Sequence, residues 1–139
     1  MTVLAHTDGA SRGNPGESGI GILMKDEKGT LLVSLSDYIG LATNNVAEYQ
    51  ALVKCLELAK GIACAKIIIH SDSELMVKQV QGKYKVKDAG LKNYFGRVQS
   101  ILADAPFVVE IKHVAREENH EADELANRGI NLKRRVTDV

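Results

Sequence analysis

The amino-acid sequence predicts an α/β protein, with a five-stranded mixed sheet (three antiparallel strands, then two parallel ones) flanked by helices. Three observations carry this reading. Residues 2–38 break into three short apolar runs separated by turn residues, the signature of an antiparallel meander. From Tyr49 onward the apolar residues recur at intervals of three and four, the period of an amphipathic helix. Two further apolar runs then alternate with helical stretches, which builds parallel strand pairs covered by helices.

Taken in order, residues 2–9 (TVLAHTDG) read as the first strand. Ser11 to Ser18 reads as a turn, in which Asn14-Pro15-Gly16 offers a fixed φ followed by a positive one. Residues 19–25 and 30–38 make the next two strands, joined through Asp26-Glu27-Lys28-Gly29. Tyr49, Leu52, Val53, Leu56 and Ala59 mark one face of a helix that Gly61 ends. Ile67-Ile68-Ile69 is β-branched throughout, as suits a central strand covered on both faces. A short helix over about 73–81 stops at Gly82. Leu91, Tyr94, Phe95, Val98, Ile101 and Leu102 define another, closed before Pro106. Residues 107–114 form the last strand, and Asn119 to about Gly129 the last helix. Residues 130–139 lack periodicity and read as a flexible tail.

The 139 residues suit a single domain with its own core. No apolar run approaches the roughly 20 residues that span a bilayer, and Asp8 interrupts the start too early for a secretory signal. A cytoplasmic, monomeric protein is the expectation. Cys55 and Cys64 match no zinc or redox spacing, and Cys55 falls on the buried face of the first helix. Net charge is zero, but residues 54–97 hold nine Lys/Arg against four Asp/Glu, while residues 98–127 hold two against seven. Such asymmetry can set a phosphate-attracting face beside a cation-attracting one.

Four acidic residues occupy telling places. Asp8 ends the first strand and Asp72 follows the isoleucine run. Glu48 and Asp123 lie near the starts of two helices. Strand ends and helix starts gather along one edge of an α/β sheet, where ligands bind. Carboxylates crowded there repel one another unless a cation intervenes, and a hard dication such as Mg²⁺ takes oxygen ligands. Each also has a local explanation. Asn45 and Glu48 have capping-box spacing, Asp123 complements a helix dipole, and Asp8 and Asp72 suit turns.

The motifs around these residues decide between the readings. Thr7-Asp8-Gly9-Ala10-Ser11 with Gly13-Asn14-Pro15-Gly16 resembles the opening signature of the type 1 ribonuclease H family. Thr43-Asn44-Asn45-Val46-Ala47-Glu48 resembles its T-N-N-x-x-E helix start, and Ser71-Asp72-Ser73 its third motif. Asn119, Ala122-Asp123, Leu125-Ala126 and Asn127 resemble its closing N-x-x-A-D-x-L-A-N. The four lie in register across about residues 3–129. The resemblance implies a ribonuclease H-like fold, with residues 1–129 as the ribonuclease H domain. It also implies an endonuclease that cuts the RNA strand of RNA–DNA hybrids, leaving 5′-phosphate and 3′-hydroxyl ends. Asp8, Glu48, Asp72 and Asp123 would be the catalytic ligands of two Mg²⁺ ions, with Asp8 bridging them and Mn²⁺ able to substitute. Gly9, Ala10, Ser11, Asn14, Thr43, Asn44 and Asn45 match the family's nucleic-acid contacts, which read backbone and 2′-hydroxyl groups.

The sequence departs from the family pattern twice. Some members carry a basic, Trp-rich loop and helix after the second helix. Here only Gln81 to Asp88 stands there, and the chain has no Trp, which leaves Lys83, Lys85 and Lys87 to grip phosphate by charge. Many members also carry a longer loop before the last helix, with a histidine that helps product leave. In this chain Val114 to Asn119 has none, and Arg116 is the nearest substitute, with His120 and His113 as neighbours. A binding module that has lost turnover, or another polynucleotidyl transferase, would share the fold. The four retained carboxylates argue against the first, and the T-N-N-x-x-E stretch against the second.

Overall fold

In the computed structural model, which describes residues 1–138, the meander is longer than the apolar runs suggest. Strands β1 (Thr2–Gly13), β2 (Gly16–Asp26) and β3 (Leu31–Ala42) come first. Helix α1 (Asn44–Lys60), strand β4 (Lys66–Ser71), and helices α2 (Glu74–Val80) and α3 (Ala89–Asp104) follow. Strand β5 (Val108–His113), a 3-10 turn over Arg116–Asn119, helix α4 (His120–Leu132) and strand β6 (Val136–Asp138) complete the chain.

The sheet order is β5-β4-β1-β2-β3-β6. Strands β1, β2 and β3 pair antiparallel, while β4 pairs parallel with both β1 and β5. The sheet therefore has six strands where five were expected, because β6 pairs antiparallel with Ser34–Ser36 of β3. The tail expected from residue 130 is in helix or strand over most of its described length. Helix α4 runs on to Leu132, Lys133 ends it in the left-handed region, and Arg135 grips Asp37 through Nε and Nη2 at 3.1 and 2.9 Å.

Between β1 and β2 the chain turns within two residues. Ser11 lies opposite Ser18 and Gly13 opposite Gly16, so the segment read as a turn is mostly hairpin ladder. The positive φ sits at Gly13, at 132°, and not at Gly16. Both serine hydroxyls donate to the Ala42 carbonyl at the end of β3, which ties the tip to the strand that leads into α1.

One sheet face carries Val3, Ala5, Ile20, Ile22, Met24, Ile67 and Ile69 against Tyr49, Leu52, Val53 and Leu56 of α1, the main core. Alternation along β2 puts Gly19 and Gly21 on the other face. A Cβ at either glycine would overlap the backbone of α4 at Ala126 or Ala122. Ala122, Ala126, Gly129 and Ile130 form the buried stripe of α4. Small residues on both partners let the helix axis come close to the sheet. That close seat brings the first turn of α4 beside Thr7 of β1, where the pairing of β1 with β4 stops. Cys55 is wholly buried in the main core, and burial raises its thiol well above the usual range.

Candidate active site

The parallel register of β1 and β4 sets Thr7 beside Ser71. Asp8 and Asp72 come next, where this parallel ladder stops. Asp72 lies just beyond β4, whereas Asp8, expected to end the first strand, lies midway along β1, which runs on to Gly13 in its pairing with β2. Glu48 arrives from α1. Its helix is capped by Thr43, whose Oγ1 accepts from the Val46 N–H at 3.2 Å. The capping box suggested by Asn45 and Glu48 is therefore not formed, and the Glu48 carboxylate is spent elsewhere. It accepts the Gly9 N–H at 2.8 Å. Glycine at position 9 permits this, since a Cβ there would overlap the backbone of Ala47 and Glu48.

Asp8, Glu48 and Asp72 each offer a carboxylate oxygen within 4.8 Å of the others. Asp123, in the first turn of α4, meets the Asp8 carboxyl and adds its charge there, yet stands outside that tight triad. Asp8 and Glu48 are each only 4% exposed. Burial, then the charges of Glu48 and Asp72, pushes Asp8 up to about 10. Burial and Asp72 likewise push Glu48 up to about 8, against the opposing pull of the Gly9 N–H and of Arg116. Two buried acids held this far from their ordinary range make a site short of positive charge. All-oxygen, anionic donors at this spacing fit a hard divalent cation such as Mg²⁺.

The cleft around the triad has a volume of about 490 Å³, and Gly9, Ala10, Ser11, Asn44 and Arg116 line it with the four acids. Asn14, Thr43 and Asn45 lie outside the lining. Asn14 nonetheless buttresses it, because its Oδ1 accepts the Asn44 N–H at 3.1 Å. Lys83, Lys85 and Lys87 are exposed on the α2–α3 connection, away from the cleft. That connection is clipped to α2, since the Lys83 and Tyr84 N–H groups both donate to the Lys78 carbonyl. His120 lines a different cavity, with His6 and Leu23, and His113 lines neither.

Sequence reasoning assigned no role to three residues here. Ser73 lines the cleft and caps α2, accepting the Met76 N–H. Asn127 also lines it and donates to the Asp123 side chain. Asn119, 1% exposed, donates to the Thr7 carbonyl at 2.9 Å and so pins the start of α4 beside Asp8. Asn119 and Asn127 both stand in the motif that flags Asp123, but only their contacts distinguish them from ordinary helix-flanking residues.

The raised carboxyls set a pH dependence. A group whose pKa is higher in the folded chain than in the unfolded one adds stability below its unfolded value, near 4, and that stability is lost as pH climbs through the folded value. For Asp8 and Glu48 the loss extends to pH 8 and above. His6 acts the other way below pH 7, because burial and the stacked His70 lower its pKa. Between pH 7 and 9, in EDTA, Tm should therefore fall by at least about 3 °C, roughly 1 kcal/mol for a chain of this size. Mg²⁺ should restore Tm more at pH 9 than at pH 7. Equal Mg²⁺ effects at both pH values in differential scanning fluorimetry would contradict this account.

A mixed sheet with two acids where the parallel ladder of β1 and β4 stops, and two more on the early turns of α1 and α4, defines a ribonuclease H-like α/β protein. Residues 6–129 match the family model described as reverse transcriptase-like. Ribonuclease HI of Halobacterium salinarum is 38% identical over 92% of this chain, which spans 64% of that protein's length. Ribonuclease H of Methylococcus capsulatus is 35% identical, with 93% of this chain and 89% of that one covered. The structure superposes on LC11-RNase H1, isolated from compost and solved in complex with an RNA/DNA hybrid, with a TM-score of 0.88. The two are 41% identical, covering 94% of this chain and 98% of that one. The chain belongs to the type 1 ribonuclease H family.

Proposed function

We propose that this protein is an endonuclease that hydrolyses the RNA strand of RNA–DNA hybrids with two divalent metal ions, leaving 5′-phosphate and 3′-hydroxyl ends. The observation that carries the reading is the triad of Asp8, Glu48 and Asp72, its oxygens within 4.8 Å, in a chain 41% identical to an enzyme solved with such a hybrid. Asp8, Glu48, Asp72 and Asp123 would hold Mg²⁺, or Mn²⁺ in its place. When bound, the ions supply a polarised phosphate, an activated water and a stabilised leaving oxygen. The chain's own part is to hold four acids in a buried cleft, to present backbone amides, and to exclude alternative geometries.

Gly9, Ala10 and Ser11 form the floor where a ribose edge would lie, and a backbone without bulky side chains suits reading of 2′-hydroxyls. Thr43, Asn44, Asn45 and Asn14 cluster at the junction of the hairpin with α1, an array of small polar groups fitted to a phosphate of the DNA strand. Residues 1–129 constitute the catalytic domain in this reading, and it works as a cytoplasmic monomer. No helix among the described residues is long and apolar enough to cross a membrane. The test is incubation with labelled hybrid, double-stranded RNA and duplex DNA in Mg²⁺, Mn²⁺ or EDTA. Metal-dependent cutting of the hybrid's RNA strand alone is expected. No cutting of the hybrid under any condition would reject the reading.

Lys83, Lys85 and Lys87, exposed outside the cleft, then serve as a remote phosphate grip for a hybrid longer than the cleft. Replacing all three by Ala should weaken hybrid binding and reduce the slope of log K against log salt by somewhat under one unit per lost contact. An unchanged slope would show a solvated loop with no part in binding.

A further inference from the structure

The geometry points to Arg12, acting through Asn127, as a positioning residue for Asp123. This inference rests on the proposed role of Asp123 as a metal ligand. Arg12 stands at the end of β1, next to the hairpin turn. Its Nη2 donates to Asn131 Oδ1 at 2.6 Å and to Asn127 Oδ1 at 3.3 Å, two side chains one turn apart on α4. Asn127 Nδ2 in turn donates to the Asp123 carbonyl at 3.0 Å and to its Oδ1 at 3.3 Å.

The amide of Asn127 has one workable orientation. Flipped, it would point its NH₂ group at a guanidinium and its oxygen at a carboxylate and a carbonyl, losing every bond and creating repulsion on both sides. Arg12 thus fixes the rotamer of Asn127, and Asn127 fixes that of Asp123. This matters because Asp123 is the one acid outside the tight triad, and its carboxyl meets only two side-chain partners among the described residues, the Asn127 amide and the protonated Asp8 carboxyl, of which the second gives way when the acids ionise around a cation. Glu48, by contrast, is held by the Gly9 N–H. Without the amide, the half-buried Asp123 side chain keeps only Asp8 as a neighbour, an anion that repels it once both are ionised, and ordering it on metal binding costs side-chain entropy. The same hairpin carries Ser11 in the cleft and Asn14 against Asn44, so the position of a ligand on α4 is tied to the substrate-facing tip of the meander.

The test uses the full chain as wild type, Arg12→Met, Asn127→Ala and the double variant, with Asp123→Asn as reference. Mg²⁺ binding is followed without substrate, by the Mg²⁺ dependence of Tm, alongside kcat, KM and Mg²⁺ activation on the hybrid. Each single variant should raise the half-saturating Mg²⁺ concentration about three- to tenfold in both assays. The double variant should be no worse than Asn127→Ala, and KM should hold within about twofold. Independent effects that multiply in the double variant would overturn the relay. So would an Arg12→Met variant whose KM rises and whose Mg²⁺ dependence is normal, the mark of a direct phosphate contact. Failure of the underlying reading looks different, since wild type would then be inactive or Asp123→Asn would be as active as wild type.

Discussion

Asp8→Asn is expected to lower hybrid cleavage by at least about a thousandfold, roughly 4 kcal/mol of barrier, while hybrid affinity stays within a few-fold. Asp8 is the acid that feels all three others. An amide at this position keeps the size but surrenders the anionic oxygens that a divalent cation needs. The same substitution should raise the Tm of the metal-free protein, because Asp8 must take up a proton to be buried beside Glu48 and Asp72 and a neutral amide need not. Activity and stability would thus move in opposite directions, as they do where a fold stores repulsion for a ligand to relieve. Mg²⁺ should stabilise wild type and leave the variant nearly unchanged. A variant rate within about tenfold of wild type would remove Asp8 from the reaction. An unchanged Tm in EDTA would show that the cluster is not strained by its charges.

The frame of this site was legible because it depends on local patterns. The β-branched run at Ile67–Ile69 and the three-four spacing of α1 each report a buried face directly, and both elements lie where those patterns place them. The hairpin tip was misread for the converse reason. Ser11, Arg12, Glu17 and Ser18 are polar and look like turn residues, yet a ladder needs only backbone groups, and the two serine hydroxyls find the Ala42 carbonyl. β6 could not be read locally either. It is three residues long and exists through its pairing with β3 and the grip of Arg135 on Asp37.

The site divides in the same way. Motifs singled out four acids, but motifs give no distances, and three of the acids form a tight triad while the fourth, on α4, meets only Asp8 among them. The lysines of the α2–α3 connection looked like a substitute handle because charge is visible in a sequence and direction is not. They lie outside the lining of the cleft, so the grip proposed for them is on more remote phosphates. Asn127 closes the motif that flags Asp123, and its four-residue offset places the two side chains on one helix face, but neither signal says that they bond.

Arg116→Ala is expected to lower kcat by roughly ten- to a thousandfold, the loss of about 1.4–4 kcal/mol of charge stabilisation. Arg116 opens the 3-10 turn that leads into α4, lines the cleft, and partly opposes with its charge the rise that burial and Asp72 impose on Glu48. A guanidinium beside buried acids has two possible tasks, to neutralise them or to hold an incoming phosphate. Neutralising alone would compete with the metal, and removing it would then tighten Mg²⁺ binding while sparing the chemistry. Holding phosphate calls for the planar fork that grips two oxygens, which neither Lys nor Ala reproduces. The expected pattern is therefore a large fall in kcat with KM held within a few-fold and a half-saturating Mg²⁺ concentration that does not rise. Arg116→Lys should recover only part of the rate. His120→Ala is the control, because His120 faces the cavity around His6 and Leu23 and is separated from the acidic cleft. It should retain at least about half of wild-type kcat. If His120→Ala is the crippled variant and Arg116→Ala turns over normally, the short loop moves during catalysis and the histidine takes over the phosphate. If instead Arg116→Ala only tightens Mg²⁺ binding, the guanidinium serves the empty cleft and not the reaction.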